Sequence, residues 1–217
     1  MPAPAAAAIR VLVPIKSFSR AKARLAGVLT PAQRVGLARH TAQTVVAAAG
    51  SIPVHVVCDD REVATWAEAA GADVIWSPGT GLDGAVRNGV AALGTLGAAH
   101  VIVAHGDLPC ARTFDGVCTP GAVTLVPDLA GDGTNVASVP VDSDFPFAYG
   151  RRSFDRHQRL ALDTGLPLVV RRDLLLALDI DTPDDLCHPL VQEALPEWLR
   201  PTPPTTQANP QRAQQPR

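Results

Sequence analysis

A chain of 217 residues, 47% hydrophobic, 18% charged and only 4% aromatic, suits one globular domain able to bury a large core. A formal net charge of −2 and a pI near 6.3 exclude a global attraction for nucleic acid or anionic lipid, so phosphate recognition must come from a local cluster of cations. No apolar stretch is long enough to cross a bilayer, Met1–Ala8 lacks the pattern of an export signal, and Cys58, Cys110, Cys118 and Cys187 show no metal-ligand spacing, so a cytoplasmic protein with reduced thiols is expected.

Ile9–Ile15 reads as a first strand. Thr30-Pro31-Ala-Gln33 then supplies an N-cap, a proline at the first helical position and a capping-box partner. The helix it opens is closed by Gly50 and buries a stripe of Val35, Ala38, Ala42, Val45 and Ala49. Val54–Asp59 is a second strand, Glu62–Ala70 a helix ended by Gly71, Asp73–Trp76 a third strand, and about Asp83 to Leu96 another helix. The run Val101–Ala104 is β-branched without alternation, which predicts a strand buried on both faces. Such a series calls for a parallel sheet with helices on both sides.

In the second half, Val123–Val126 and Val136–Val141 read as strands around a Gly-rich loop. Ser153–Asp163 reads as a helix, Leu166–Arg171 as a strand and Leu176–Ile180 as a short buried strand, after which Thr182-Pro183-Asp-Asp185 caps a last helix to about Leu195. Beyond Trp198 the chain is Pro-, Thr- and Gln-rich and cannot bury enough surface to order itself. The expected organisation is a tail over residues 1–8, one domain over 9–199 and a disordered tail over 200–217.

Five stretches could carry chemistry. After the Val101–Ala104 strand, Gly106 permits close backbone approach, Asp107 places a carboxylate at the strand's end and Pro109 stops the strand; ligands bind at that edge of open α/β sheets, although a capping Asp would look the same. The loop Lys16-Ser-Phe-Ser-Arg20-Ala-Lys22-Ala-Arg24 offers several cations to a polyphosphate, or is simply an exposed basic loop. Gly79-Thr-Gly81-Leu-Asp-Gly84 matches the dinucleotide fingerprint, with Asp107 about 20 residues further on, but would follow the third strand and not the first. Its plainer reading is a turn with Asp83 as N-cap. Pro127-Asp128-Leu-Ala-Gly131-Asp132-Gly133-Thr134-Asn135 could hold an anion with amides and a hydroxyl, or form a surface hairpin. In Asp179-Ile-Asp181 an extended backbone puts both carboxylates on one face, where they repel unless a cation lies between them; hard oxygens with few companions favour Mg²⁺. Asp184 and Asp185 read as first-turn helix acids.

Taken together, Val13-Pro14-Ile15-Lys16, Ala21-Lys22-Ala-Arg24-Leu25, Gly81-Leu82-Asp83, Asp107-Leu108-Pro109, Gly133-Thr134-Asn135, Tyr149-Gly150-Arg-Arg-Ser153-Phe154-Asp-Arg-His157 and Leu178-Asp179-Ile180-Asp181-Thr182-Pro183 form an ordered set. That set resembles the guanylyltransferases of coenzyme F420 biosynthesis, from about Ile9 to Leu195. Asp83 stands where the family often has Asn, and Arg151-Arg152 fill positions that are small or variable.

The resemblance implies a three-layer αβα fold of the GT-A-like, Rossmann-like nucleotidyltransferase type with a mostly parallel sheet. It implies transfer of a guanylyl group from GTP to a small phosphorylated carboxylic acid, phosphoenolpyruvate or 2-phospho-L-lactate, with release of pyrophosphate. Carried over residue by residue, Lys16, Lys22 and Asp107 are catalytic, and Asp107, Asp179 and Asp181 hold Mg²⁺. Val13, Pro14, Lys16, Lys22, Arg24, Leu82 and Asp83 bind the nucleotide, and Thr134, Gly150 and Ser153 the acid, with Ser153 opening a helix whose free N–H groups could face it. His105 and His157 receive no catalytic role. No nucleic acid or membrane partner is expected, and a homodimer is the assembly considered. The alternatives are an NAD(P)-dependent oxidoreductase built on Gly79, Gly81 and Gly84, a nucleotidyltransferase of the molybdopterin or sugar-nucleotide type, and a non-catalytic nucleotide-binding module.

Overall fold

The computed structural model describes residues 9–199. Both expected tails, 1–8 and 200–217, lie outside the described residues. The strands are β1 (Ile9–Pro14), β2 (Val54–Cys58), β3 (Asp73–Trp76), β4 (His100–Ala104), β5 (Val123–Pro127), β6 (Thr134–Pro140) and β7 (Leu168–Val170). The helices are α1 (Pro31–Ala48), α2 (Arg61–Ala69), α3 (Gly81–Thr95), α4 (Ser153–Asp163), α5 (Leu174–Ala177) and α6 (Pro189–Ala194). One seven-stranded sheet runs in the order β3-β2-β1-β4-β6-β5-β7. Of the six pairings, β4–β6 and β5–β6 are antiparallel and the rest parallel, so β6 is the strand that runs against the others.

The strands at the centre carry no alternation because both of their faces are covered. Val11, Val13, Val56 and Ile102 pack under α1 and α2, while Leu12, Val57, Val101 and Val103 pack under α3. Alpha-helix α4 covers β5 and β6 on the α3 side through Phe154 and Ala161. A third cluster, Leu25, Leu29, Leu37, Ile180, Val191 and Leu195 among others, docks the C-terminal segment near the start of α1. The chain crosses from β3 to β4, on the far side of β1, so the strand order reverses at the β1–β4 boundary, and a crevice opens there at the carboxyl ends of the strands.

Thr30 caps α1 as its sequence requires: its hydroxyl accepts from the Gln33 N–H and the Gln33 side chain accepts from the Thr30 N–H, closing a capping box. Two expectations need correction. Leu176–Ile180 is not a strand, because the Asp173 carboxylate caps the N–H groups of Leu175 and Leu176 and starts α5; only the following residues are extended. The last helix is not continuous either. His188 precedes Pro189 and is held extended at φ −65°, ψ 128°, which splits the segment into a 3₁₀ turn, Asp185–Cys187, and α6.

Candidate active site

The loop after β1 folds back over the ends of β2, β4 and α3 and encloses a cleft of about 420 Å³. Its apolar wall includes Pro14, Ile15, Leu82 and Ala85, and Lys16, Arg20, Lys22, Asp59, Asp107 and Asp181 carry its charge. Thr41, fully buried on α1, donates to the carbonyl of Gly106 at 2.9 Å and so fixes the backbone beside Asp107. The Lys16 ammonium makes no hydrogen bond or ion pair among the described residues and remains available to a ligand.

Asp107, Asp179 and Asp181 converge, each presenting one oxygen within 4.8 Å of the others. Asp107 comes from the end of β4. The other two follow α5 on an extended segment that Asn135 of β6 holds in place: its amide donates to the carbonyls of Leu176 (3.1 Å) and Ala177 (3.0 Å) and to Asp179 Oδ1 (3.4 Å). Lys22 closes the group. Its ammonium is almost fully buried and donates to Asp107 Oδ2 at 2.8 Å, to Asp181 Oδ1 at 3.4 Å and to the Ile180 carbonyl. Its backbone adopts the left-handed region at φ 57°, a cost of the kind tolerated where surrounding contacts fix a functional side chain.

The electrostatics of the three acids differ. Burial, with the Asp107 and Asp181 charges added, pushes the Asp179 carboxyl up to about 7 against the opposing Asn135 bond. Burial would also raise Asp107, but the Lys22 ammonium outweighs it and holds Asp107 below the usual carboxylate range. Burial alone would lower Lys22, and its two aspartate partners raise it instead. Asp107 Oδ1 is buried without a hydrogen-bond partner. An unpartnered oxygen, a carboxylate destabilised by its neighbours and a three-oxygen donor set together fit a hard divalent cation.

On the β6 side of this cluster lies the second group. Thr134 and Ser153 are buried and joined, the Thr134 N–H donating to Ser153 Oγ at 3.1 Å. Gly133 approaches Asp128 so closely that a Cβ would lie 2.7 Å from Asp128 Oδ2, and Gly150 holds φ +99°. The turn through Gly150 is fastened from three directions. Arg156 donates to the carbonyls of Ala148 and Tyr149, Asp83 Oδ1 accepts from the Tyr149 N–H at 2.8 Å, and His157 Nε2 accepts from the Ala148 N–H at 2.9 Å.

The expected residues thus gather, with differences. Val13 is wholly buried in the core and supports the cleft from beneath, while Pro14 and Leu82 line it. Arg24 lies at the rim, its side chain 74% exposed and 3.7 Å from Asp181. Asp83 neither lines the cleft nor caps α3, which begins at Gly81; its carboxylate fastens the Gly150 turn instead. Ser153 is the first helical residue of α4, not its cap. The N–H groups of Ser153 and Phe154 are already donated to the carbonyls of Gly150 and Asp132, so they do not face outward as the sequence suggested. Thr41 and Arg156 were not singled out by residue type, Arg20 figured only as a cation of the basic loop, Asn135 only within the anion-holding loop, and His157 was assigned no part in the site. His157 could have been given one, since it lies four positions after Ser153 and shares its helix face.

Residues 9–193 match the sequence profile of a family described as guanylyl transferase CofC like. The chain is 37% identical over 185 residues to the phosphoenolpyruvate guanylyltransferase of Sphaerobacter thermophilus, covering 81% of this chain and 89% of that one. It is 36% identical over 188 residues to the protein of the same name from Conexibacter woesei, covering 81% and 84%. Among solved structures, 4-diphosphocytidyl-2C-methyl-D-erythritol synthase from Anaerococcus prevotii superposes with a TM-score of 0.54 at 10% identity, covering 82% of this chain and 92% of that one. A cytidylyltransferase from Leptospira borgpetersenii superposes at 0.52 with 12% identity, covering 82% and 83%. These likenesses identify the fold as that of the GT-A-like nucleotidyltransferases, and the oxidoreductase alternative built on Gly79, Gly81 and Gly84 is overturned by the match over nearly the whole domain. The chain belongs to the guanylyl transferase CofC-like family.

Proposed function

We propose that the protein joins the guanylyl group of GTP to the phosphate of phosphoenolpyruvate, releasing pyrophosphate, with Mg²⁺ held by Asp107, Asp179 and Asp181. The observation that carries this reading is the convergence of those three carboxylates beside a cation-bearing cleft, with the joined hydroxyl residues Thr134 and Ser153 next to Asn135, which bonds Asp179. The names of the relatives, phosphoenolpyruvate guanylyltransferase, support the choice of substrates.

The guanine and ribose lie along the apolar wall at Pro14 and Leu82, and Lys16, Arg20 and Arg24 take the phosphates. Lys22 keeps Asp107 ionised and orients both Asp107 and Asp181. Thr134, Gly150 and Ser153 hold the acid so that a phosphate oxygen faces the α-phosphorus. That oxygen is largely ionised near neutrality, with a second pKa of about 6, so no general base is needed. When bound, the divalent ion supplies charge neutralisation at the attacking and leaving oxygens. Four cysteines without a disulfide accord with a cytoplasmic setting.

Purified protein offered GTP, phosphoenolpyruvate and Mg²⁺ is expected to release pyrophosphate, with each of the three omitted in turn abolishing it. Release with 2-phospho-L-lactate but not with phosphoenolpyruvate would change the acceptor; no release with either acid would overturn the reaction.

A further inference from the structure

We infer that His157 is a positioning residue for the acceptor, a fixed ring that turns the Thr134 hydroxyl into a hydrogen-bond donor aimed at the acid. The inference rests on the proposed reading of Thr134 as an acceptor contact.

His157 is fully buried on α4. Its Nε2 lies 2.9 Å from the backbone nitrogen of Ala148, and its Nδ1 lies 3.0 Å from Thr134 Oγ1. A backbone amide can only donate, so Nε2 must be the nitrogen with the lone pair. Neutral imidazole carries one N–H, which therefore sits on Nδ1 and is donated to Thr134 Oγ1. The hydroxyl oxygen accepts from the ring, and its own proton must point elsewhere.

The same logic applies next door. Ser153 Oγ accepts from the Thr134 N–H, which leaves the Ser153 proton free as well. Among the described residues no carbonyl, carboxylate or side chain accepts from either hydroxyl. Two buried hydroxyls, each 2% exposed, thus have their oxygens occupied and their protons unassigned. A buried donor without a partner is costly, and an anion with several oxygens would satisfy both at once.

The ring cannot easily turn to exchange these two partners. Tyr149 packs edge-on against it at 4.9 Å between centroids, Phe147 at 6.2 Å, and Phe145 lies tilted at 5.7 Å. A protonated ring would set an Nε2 proton against the Ala148 N–H, and burial pushes the pKa down to about 4, keeping the ring neutral. The nitrogen that accepts from Ala148 also ties the ring to the Gly150 turn, so one side chain sets both walls of the acceptor pocket.

The test uses steady-state kinetics with both substrates varied, on wild type, Thr134→Val, His157→Phe, His157→Asn and the Thr134→Val/His157→Phe double variant. His157→Phe is expected to raise the KM for phosphoenolpyruvate about tenfold while the KM for GTP stays within about twofold. His157→Asn, whose amide can replace the Nδ1 donor, should recover most of that loss. In the Thr134→Val background, His157→Phe should add nothing, because its partner is already gone. Equal losses toward both substrates, or full additivity in the double variant, would overturn the positioning role. A Thr134→Val variant with an unchanged acceptor KM would instead overturn the placement of the acceptor, and the inference with it. An independent readout needs no variant: ¹⁵N spectra of histidine-labelled wild type should show His157 as the Nδ1–H tautomer, and an Nε2–H tautomer would refute the inference even if His157→Phe failed to fold.

Discussion

Asp107, Asp179 and Asp181 share one site but differ in what balances their charge, and asparagine substitutions should separate them. Among the described residues no cation pairs with Asp179, and burial beside Asp107 and Asp181 pushes its carboxyl up to about 7. A raised carboxyl favours the folded state while protonated, so that contribution is intact below about pH 4 and is lost as pH climbs through 7. In metal-free buffer, Asp179→Asn is therefore expected to melt above wild type at pH 8, by on the order of a few kcal/mol, with the gap closing as pH falls toward 4. A gap independent of pH would contradict this. Asp107 behaves oppositely because it neutralises the buried Lys22. Asp107→Asn should destabilise by about 2 kcal/mol, since it removes the closer of that ammonium's two carboxylates and leaves Asp181 at 3.4 Å, and all three variants should lose most of their turnover.

At the scale of elements, the turn before α4 is held by Arg156 together with Asp83 and His157. Arg156 supplies three hydrogen bonds to the carbonyls of Ala148 and Tyr149. Arg156→Ala is expected to cost about 1–2 kcal/mol in thermal or urea unfolding and, on the proposed placement of the acceptor beside this turn, to raise the acceptor KM while sparing that for GTP. Unchanged kinetics would show that Gly150, Asp83 and His157 shape the turn without Arg156. This region also marks how far sequence can be read. The strands β1 to β4 and the α1 capping box were legible because their signals are local: a β-branched run, or Thr30 and Gln33 three residues apart. The Asp179–Asp181 pair was legible from extended geometry, although the expected strand was absent, since alternation needs only an extended backbone and not a pairing partner. Asn135 and Arg156 were illegible in role because each bonds carbonyls, which no side-chain pattern reveals. Asp83 was misread for the same reason: its partner, the Tyr149 N–H, lies 66 residues away.

For the whole molecule, the strand order places function. Strand β1 feeds the basic loop, β6 begins at Thr134, and β4 runs between them to deliver Asp107 at the boundary. On the proposed assignment of residues, the two substrates approach the aspartates from opposite sides of this strand without competing for residues. The direct measurement is a two-substrate initial-rate analysis of Lys16→Ala and Ser153→Ala. Lys16→Ala should raise the KM for GTP by about tenfold and leave that for phosphoenolpyruvate nearly unchanged, whereas Ser153→Ala should do the reverse. If both variants shifted the same substrate, or if their effects were exchanged, the placement of nucleotide and acceptor on either side of Asp107 would be wrong.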